Sequence, residues 1–394
     1  MKILFIIQGE GRGHLTQAIA LREKLLAEGH QLVGVLAGKS PSRQLPAFFT
    51  EKIGTEVTAF ESPNFLPAAG NKQAHLMRSV TYNLFRMHKY MESICTINRL
   101  IRESQAEVVV NFYELLTGFT YLLFRPRAVM VCIAHQYLFL HPGFVFPETN
   151  SLQVSLLKLF TRLTALGATK KLALSFRKMP AVEADNLVVL PPLLRSEVLK
   201  ATPQTGDYLH GYMLNSGFSE EVKEWHSHHP QVMMHFFWDK RDAPEVTEVN
   251  SRLFFHRLND KSFINYMAGA KAYATTAGFE SVCEAMYLGK PVLMVPTHIE
   301  QTCNAHDALL AGAGMMADSF DLDKLLYLAQ HHEPNLHFRH WVKQADWLIL
   351  HEFRRDILQA NCTPTPWLGL PGKPGAKVIS RIKEKVLNLS LFQK

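Results

Sequence analysis

This 394-residue sequence contains no long uninterrupted apolar run, although 47% of its residues are hydrophobic. A membrane-spanning helix needs about 18 or more consecutive apolar residues, so an integral helical membrane protein is excluded. The N-terminus passes directly into a strand pattern, KILFIIQ, without the regions of a signal peptide. We therefore expect a globular chain, large enough for two domains with packed cores.

Cysteine is also scarce, and its spacing excludes a disulfide framework. The histidine clusters at 226–229 and 331–332 have no distant partner with the spacing of metal ligands. We therefore expect a cytoplasmic protein that needs no metal ion. The five cysteines are scattered, and none forms a close pair: Cys95, Cys132, Cys283, Cys303 and Cys362.

Acidic residues are under-represented in the first half of the chain. Residues 1–203 contain 23 Lys and Arg against 14 Asp and Glu, a net charge of +9, whereas residues 204–394 contain 19 against 21, a net charge of −2. A basic half favours an anionic membrane surface or an acidic substrate as its partner. No nucleic-acid-binding module is recognisable, so we do not expect nucleic acid.

The most informative stretch, residues 275–305, reads TTAGFESVCEAMYLGKPVLMVPTHIEQTCNA. It predicts a strand that ends in the small-residue turn Thr276-Ala277-Gly278, followed by a helix that begins at Ser281. Such a turn lets a ligand approach the backbone, and the N–H groups at the start of a helix suit a diphosphate. Ser281 can add a hydroxyl, and Glu284 can accept hydrogen bonds from two ribose hydroxyls.

A second buried strand follows, and polar residues come directly after it. Glu300, Gln301 and Asn304 are placed there to reach sugar hydroxyls. A strand, a glycine turn and a helix occur in every α/β protein. The specific signal is the ordered set G-x-x-S-x-x-E, G-K-P-x-L-x-x-P and E-Q-x-x-N-A.

This ordered set resembles the donor-binding region of two-lobed glycosyltransferases of the GT-B type. It is most similar to the inverting branch, which includes the peptidoglycan GlcNAc transferase and the UDP-sugar transferases of plants and antibiotic producers. Retaining GT-B enzymes usually carry two glutamates eight positions apart, and the first of them would fall at Thr276. We therefore expect inversion, with Thr276 and Gly278 on the donor side.

The resemblance implies an α/β fold of two Rossmann-like lobes with an interdomain cleft. It implies an acceptor-binding domain over residues 1–192 and a donor-binding domain over residues 204–360. It also implies a C-terminal segment, residues 361–394, whose helix crosses back to the first lobe. A UDP-sugar would be the co-substrate, with no other cofactor.

The first strand runs into a glycine-rich turn, G-E-G-R-G-H at residues 9–14. The turn lacks the third glycine of a dinucleotide fingerprint at the right spacing, which disfavours NAD. In GT-B enzymes the same loop faces the acceptor, which implies acceptor contacts at Gly11 and Gly13. His14 is the candidate general base because imidazole titrates near neutral pH. The alternative is that His14 only caps the helix or binds phosphate.

A base of this kind needs a carboxylate to orient it. Glu114, in the turn after the strand at 107–111, is the first candidate, and Glu10 is the second. Glu114 is equally compatible with a surface position.

The remaining candidate contacts are implied by the resemblance. His135 and Gln136 end a buried strand on the acceptor side. Gly217 belongs to the glycine turn of the second lobe. His256 lies where GT-B enzymes hold the nucleobase of the donor, so a contact with uracil is expected there.

Residues 151–178 contain six basic residues and no acidic one. Leucines at helical spacing predict an amphipathic helix that can lie on anionic lipid. The alternative is a helix packed in the first domain with a solvated basic rim. The first interpretation would place the protein peripherally on the inner face of a membrane.

Taken together, the sequence predicts a transferase that moves a hexose or N-acetylhexosamine from a UDP-sugar to a hydroxyl of a lipid or glycan. Three alternatives remain open. A UDP-sugar epimerase of the same fold would need no acceptor, a non-catalytic nucleotide-sugar-binding protein would not need His14, and a dehydrogenase would bind NAD.

Overall fold

The computed structural model describes residues 1–41, 43–63, 83, 85–213, 216–240 and 242–360. The expected C-terminal segment, residues 361–394, and its crossing helix lie outside the described residues.

The first lobe is built on a seven-stranded sheet in the order β3-β2-β1-β4-β5-β6-β7. Every neighbouring pair is parallel. The strands are β1 Lys2–Gln8, β2 Gln31–Lys39, β3 Val57–Glu61, β4 Val108–Phe112, β5 Val129–Ala134, β6 Lys170–Leu174 and β7 Leu187–Leu190.

The central strands are apolar on both faces because helices cover both sides of the sheet. Phe5 and Ile6, which are consecutive in β1 and therefore face opposite sides of the sheet, are both completely buried. This is why the run shows no polar alternation. The helices of this lobe are α1 Arg12–Ala27, α2 Ala47–Lys52, α3 Met87–Glu103, α4 Leu115–Phe124 and α5 Ser151–Thr164, with 3-10 turns at His135–Leu140 and Glu183–Asp185.

The second lobe also contains a seven-stranded sheet, in the order β10-β11-β9-β8-β12-β13-β14. It is parallel except at its edge, where β10 runs antiparallel to β11, a pairing that the sequence analysis does not predict. The strands are β8 Tyr208–Met213, β9 Met233–Trp238, β10 Val246–Asn250, β11 Leu253–Arg257, β12 Ala272–Thr275, β13 Val292–Met294 and β14 Gly314–Met316.

Helices again flank this sheet, and a short helix lies in the link between the lobes. The link helix is α6 Ser196–Lys200. The others are α7 Ser219–His228, α8 Asp260–Gly269, α9 Phe279–Tyr287, α10 Ile299–Leu310, α11 Leu322–His331, α12 Leu336–Lys343, α13 Ala345–Glu352 and α14 Arg355–Ala360, with a 3-10 turn at Ser216–Phe218. The expected α/β fold of two Rossmann-like lobes is confirmed.

One expectation changes in detail, and one contact between the lobes is not predicted from the sequence. The basic stretch at 151–178 is not one helix, because α5 ends at Thr164 and Lys170–Leu174 is a strand inside the sheet. The chain also returns to the first lobe before residue 361. Trp341 of α12 donates its indole N–H to the carbonyl oxygen of Ser175 at 3.0 Å, and Lys24 of α1 pairs with Asp346 of α13.

Candidate active site

A cavity of about 360 Å³ lies between the two lobes. It opens where the carboxyl ends of strands from both sheets face each other, the usual ligand position in parallel α/β folds. Thirteen of the fifteen predicted site residues line it: Gly11, Gly13, His14, Glu114, His135, Gln136, Thr276, Gly278, Ser281, Glu284, Glu300, Gln301 and Asn304.

The two others lie elsewhere. Gly217 is exposed in the 3-10 turn that precedes α7. His256 stacks on Phe237 with ring centroids 4.8 Å apart, and its Nε2 lies 2.9 Å from Nδ1 of His235. Neither residue lines this cavity.

The turn after β12 brings the N-terminus of α9 to the cavity. Ala277 adopts a left-handed conformation, with φ of 61°, which is uncommon for a residue other than glycine. Gly278 is the N-cap of α9 and provides no side-chain cap. The Ser281 hydroxyl donates to the Gly278 carbonyl at 3.1 Å. Gly278 therefore leaves the start of α9 without a side-chain cap, as an anion site requires, while the Glu280 N–H is hydrogen-bonded to its own carboxylate.

Glu284 is held by an arginine that the sequence analysis missed. Its side chain is only 2% exposed, and its Oε1 accepts from Arg195 Nε at 2.7 Å. Burial raises the pKa of Glu284, and the charge of Arg195 partly offsets that effect. Arg195 also forms an ion pair with Asp260 at 3.4 Å. The residue is the N-cap of the link helix α6, and no motif marks it in the sequence.

The polar residues of α10 face the cavity from the second lobe. Glu300 Oε1 accepts from Gln136 Nε2 of the first lobe at 2.8 Å. Gln301 uses its Oε1 to accept from the N–H and hydroxyl of Thr297, at 2.9 and 2.7 Å. Because its oxygen is used in this way, Gln301 has its NH2 group left to donate hydrogen bonds to a ligand in the cavity. Asn304 is buried and contacts His135. This contact raises the pKa of His135, but the opposite effect of burial is larger.

His135 connects the lobes through an aromatic contact. Its ring stacks on Phe279 of α9, with centroids 3.9 Å apart and planes 17° from parallel. Its Nδ1 donates to the Leu174 carbonyl at 2.7 Å, and burial lowers its pKa to about 4. His135 is therefore a neutral group at the lobe interface.

His14 lies at the start of α1 and is 9% exposed. Its ring stacks on Tyr113 with centroids 5.6 Å apart, and its Nδ1 lies 3.4 Å from Gln17 Oε1. Burial lowers the pKa of His14, while the charge of Glu300 and the Gln17 contact raise it in part. A neutral imidazole at pH 7 suits a base.

Glu114 has other partners than the expected one. No hydrogen bond joins it to His14 in the part of the chain that the structure describes. Its Oε1 accepts from the Ser62 hydroxyl at 2.6 Å and from the Leu116 N–H at 3.0 Å. Glu114 is the N-cap of α4, and burial raises its pKa to about 7. Glu114 is buried and lines the same cavity as His14, but it does not orient the imidazole through a hydrogen bond.

Glu280 is a further cavity residue that the sequence analysis missed. It lies in the first turn of α9, two residues after the recognised Gly278, so its position in the motif was a usable signal. Its carboxylate accepts from Gln17 Nε2 of the first lobe and lies against Gly13, where a Cβ atom would overlap it. Burial raises the pKa of Glu280 to about 7.

Among the described residues, no group of three or more His, Cys, Asp or Glu side chains is arranged to hold a metal ion. Metal independence stays a prediction.

The sequence matches the model of Glycosyl transferase family 1 over residues 1–329. Among curated proteins, no sequence matches the chain significantly.

Similar solved structures are two-lobed glycosyltransferases, and at these identities they establish the fold alone. The glycotransferase of kitacinnamycin is 15% identical with a TM-score of 0.60, covering 90% of this chain and 99% of its own. MurG from Acinetobacter baumannii is 14% identical with a TM-score of 0.51, covering 91% and 99%. UGT89C1 from Arabidopsis thaliana is 14% identical with a TM-score of 0.52, covering 97% and 98%. The GT-B fold is thereby confirmed.

Proposed function

The chain belongs to glycosyl transferase family 1, and from that premise we propose that it transfers a hexose or N-acetylhexosamine from a UDP-sugar to an acceptor hydroxyl. The chain is a glycosyltransferase; the donor, the acceptor and inversion are the proposed part. The similar Arabidopsis enzyme was solved with UDP-L-rhamnose, which supports a uridine donor here.

One observation carries the proposal. The same cavity is lined by His14 from the first lobe and by Gly278, Ser281 and Glu284 from the second. A base and an anion-binding helix N-terminus on opposite walls are what the displacement of a diphosphate by a hydroxyl requires.

In the proposed reaction, Nε2 of His14 takes the proton of the acceptor hydroxyl. The hydroxyl oxygen attacks the anomeric carbon from the face opposite the diphosphate. The bond between that carbon and the diphosphate oxygen breaks, and UDP leaves with the electron pair. The configuration at the anomeric carbon is inverted. The N–H groups of α9 stabilise the charge that develops on the leaving oxygen.

The donor is oriented by carboxylates that are already in place. Glu284 accepts hydrogen bonds from the ribose hydroxyls. Its ion pair with Arg195 fixes its position and partly offsets the effect of burial, which raises its pKa. Glu300, the Gln301 amide and Asn304 contact the sugar hydroxyls. Preorganised groups of this kind lose little entropy when the donor binds.

We place a lipid or glycan acceptor on the first lobe, near His135 and Gln136. In the same lobe, α5 exposes Leu152, Leu156 and Leu159 by 65%, 44% and 47%. Exposed leucines at helical spacing with nearby basic side chains suit an anionic lipid surface. No helix among the described residues is long and apolar enough to cross a membrane.

The test is a panel of UDP-sugars incubated with the protein, with and without lipid and glycan acceptors. We expect UDP release that depends on His14, and a product whose anomeric configuration is opposite to that of the donor. Sugar interconversion without UDP release would favour the epimerase. Binding of UDP without any turnover, unchanged in His14→Ala, would favour a non-catalytic protein.

A further inference from the structure

We propose that Gln17 and Glu280 act as positioning residues that fix the tautomer of His14 when the two lobes are together. The inference rests on the proposed function, in which His14 is the base. It replaces the expected orienting carboxylate, Glu114, with a relay through Gln17 that ends on a carboxylate of the opposite lobe.

The contacts form a continuous chain across the lobe interface. Nδ1 of His14 lies 3.4 Å from Oε1 of Gln17. Nε2 of the same Gln17 donates to Oε1 of Glu280. Gln17 is buried, at 1% exposed, so no solvent competes for its amide. All three side chains line the cavity.

An amide side chain has a donor group at one end and an acceptor at the other, so Gln17 gives this series of hydrogen bonds a direction. An ionised carboxylate only accepts hydrogen bonds, so Glu280 turns the NH2 group of Gln17 toward itself. The Gln17 carbonyl oxygen then faces His14 and needs a donor. Nδ1 of His14 must therefore carry the proton, which leaves the lone pair on Nε2 free. That nitrogen is the one that takes the acceptor proton in the proposed reaction.

The relay joins elements of different lobes. His14 and Gln17 are one helical turn apart on α1, whereas Glu280 belongs to α9. Gly13 allows the approach, because a Cβ atom there would overlap the Glu280 carboxylate. The tautomer is therefore set only in the closed arrangement of the lobes, which restricts the active base to the state in which the donor lobe is in place.

Other charged groups face these residues. Glu300 of α10 acts on His14, and Tyr113 stacks on its ring. Burial, together with the charges of Glu284 and Glu300, raises the pKa of Glu280 to about 7. The relay should be measured at about pH 8.5, where Glu280 is ionised.

The test is two-bond ¹H–¹⁵N NMR of the full chain labelled with ¹⁵N-histidine. The His14 signal is assigned by its loss in His14→Ala. In the wild type we expect a protonated Nδ1 and an unprotonated Nε2. Gln17→Ala removes the middle group, and Gly13→Ala displaces Glu280, so both variants should lose that pattern. Gly11→Ala is the matched control, since its methyl group would meet nothing closer than Gln8 Oε1 at 4.0 Å.

A wild-type His14 with the proton on Nε2 would overturn the relay. So would a pattern unchanged in both Gln17→Ala and Gly13→Ala, or one lost equally in the control. If Gln17→Ala does not fold, the wild-type tautomer and Gly13→Ala still decide the question. UDP binding is measured separately. A protein that does not bind UDP refutes the proposed function, whereas one that binds UDP with Nε2 protonated refutes only the relay.

Discussion

Three glutamates, Glu280, Glu284 and Glu300, line one cavity. Of these three, Glu284 is the one that forms an ion pair with an arginine among the described residues. The pairing separates their roles. Glu284 is fixed for hydrogen bonding, whereas Glu280 changes charge near neutral pH because burial raises its pKa to about 7. Glu300 raises the pKa of His14 by its charge.

The Glu300 effect predicts a pH dependence. In the proposed reaction, His14 acts as a base only when neutral, so activity should fall as pH drops through its pKa, which burial lowers below the ordinary value. Glu300→Gln removes a charge that raises this pKa, so the acid limb of log kcat against pH should move to lower pH.

Steady-state kinetics of UDP release between pH 4.5 and 8 measures the shift. The plateau of log kcat at higher pH can fall in this variant, because Glu300 contacts the sugar in the proposed reaction. The quantity that tests the prediction is therefore the pH at which log kcat begins to fall. Exposed Glu148→Gln is the control and should leave the limb in place. A limb that moves to higher pH would contradict the assignment of His14 as the base.

At the scale of elements, close packing of α4 on α5 holds the exposed leucines in position. A Cβ atom at Gly118 of α4 would overlap the backbone carbonyl oxygen of Leu163, and backbone cannot give way as a side chain can. Gly118→Ala should therefore lower the free energy of unfolding by roughly 1–3 kcal/mol. Urea denaturation measures it, with exposed Ser155→Ala on α5 as a control that should change little. A stable Gly118→Ala variant would show that the two helices are not tightly packed.

The exposed face of α5 carries its own prediction. Replacing Leu152, Leu156 and Leu159 together with serine should weaken binding to anionic phosphatidylglycerol vesicles by roughly tenfold or more, since each leucine would lose apolar burial in the lipid. Co-sedimentation with vesicles measures this at low and high salt.

The matched control changes exposed leucines away from α5, Leu26 and Leu336, to serine. Equal loss in both variants, or no vesicle binding by the wild type, would contradict a membrane-binding role for α5.

At the scale of the whole molecule, buried histidines limit stability in acid. His210 is fully buried, stacked on Tyr273 with centroids 5.1 Å apart, and burial lowers its pKa to about 3. The unfolded chain binds a proton there below about pH 6.5 and the folded chain does not, so stability is lost as pH falls through that range.

His210→Phe should remove this loss, and its advantage over the wild type should grow by about 2 kcal/mol between pH 7.5 and pH 5. Denaturant unfolding at both pH values measures it. Exposed His337→Phe is the control and should show no such growth. A difference that does not depend on pH would mean that His210 takes up a proton in the folded state.

Much of this molecule could be predicted from the sequence because the chemistry of the donor region is local. Residues 275–305 contain a strand, a turn, a helix and their polar ligands in one continuous stretch, so Glu284 and Glu300 were found. Arg195 and Gln17 act through contacts between distant segments, such as the 89 positions that separate Arg195 from Glu284. Glu280 lies inside the recognised stretch, but its contact with Gln17 comes from the other lobe. The pattern of residues along the sequence does not indicate which distant segments come into contact. For the same reason, the sequence does not predict that Glu114 is the N-cap of α4.

The most direct test of the central claim is UDP binding, measured by thermal shift and calorimetry on the wild type and on Glu284→Ala. Glu284→Gln serves if loss of the ion pair with Arg195 impairs folding. We expect UDP at 100 times its Kd to stabilise the wild type by about 2.7 kcal/mol, with little effect of dTDP, GDP or NAD. The stabilisation should be lost in the Glu284 variant, measured against its own ligand-free state. No stabilisation by UDP, or one indifferent to Glu284, would contradict the donor site and the reaction built on it.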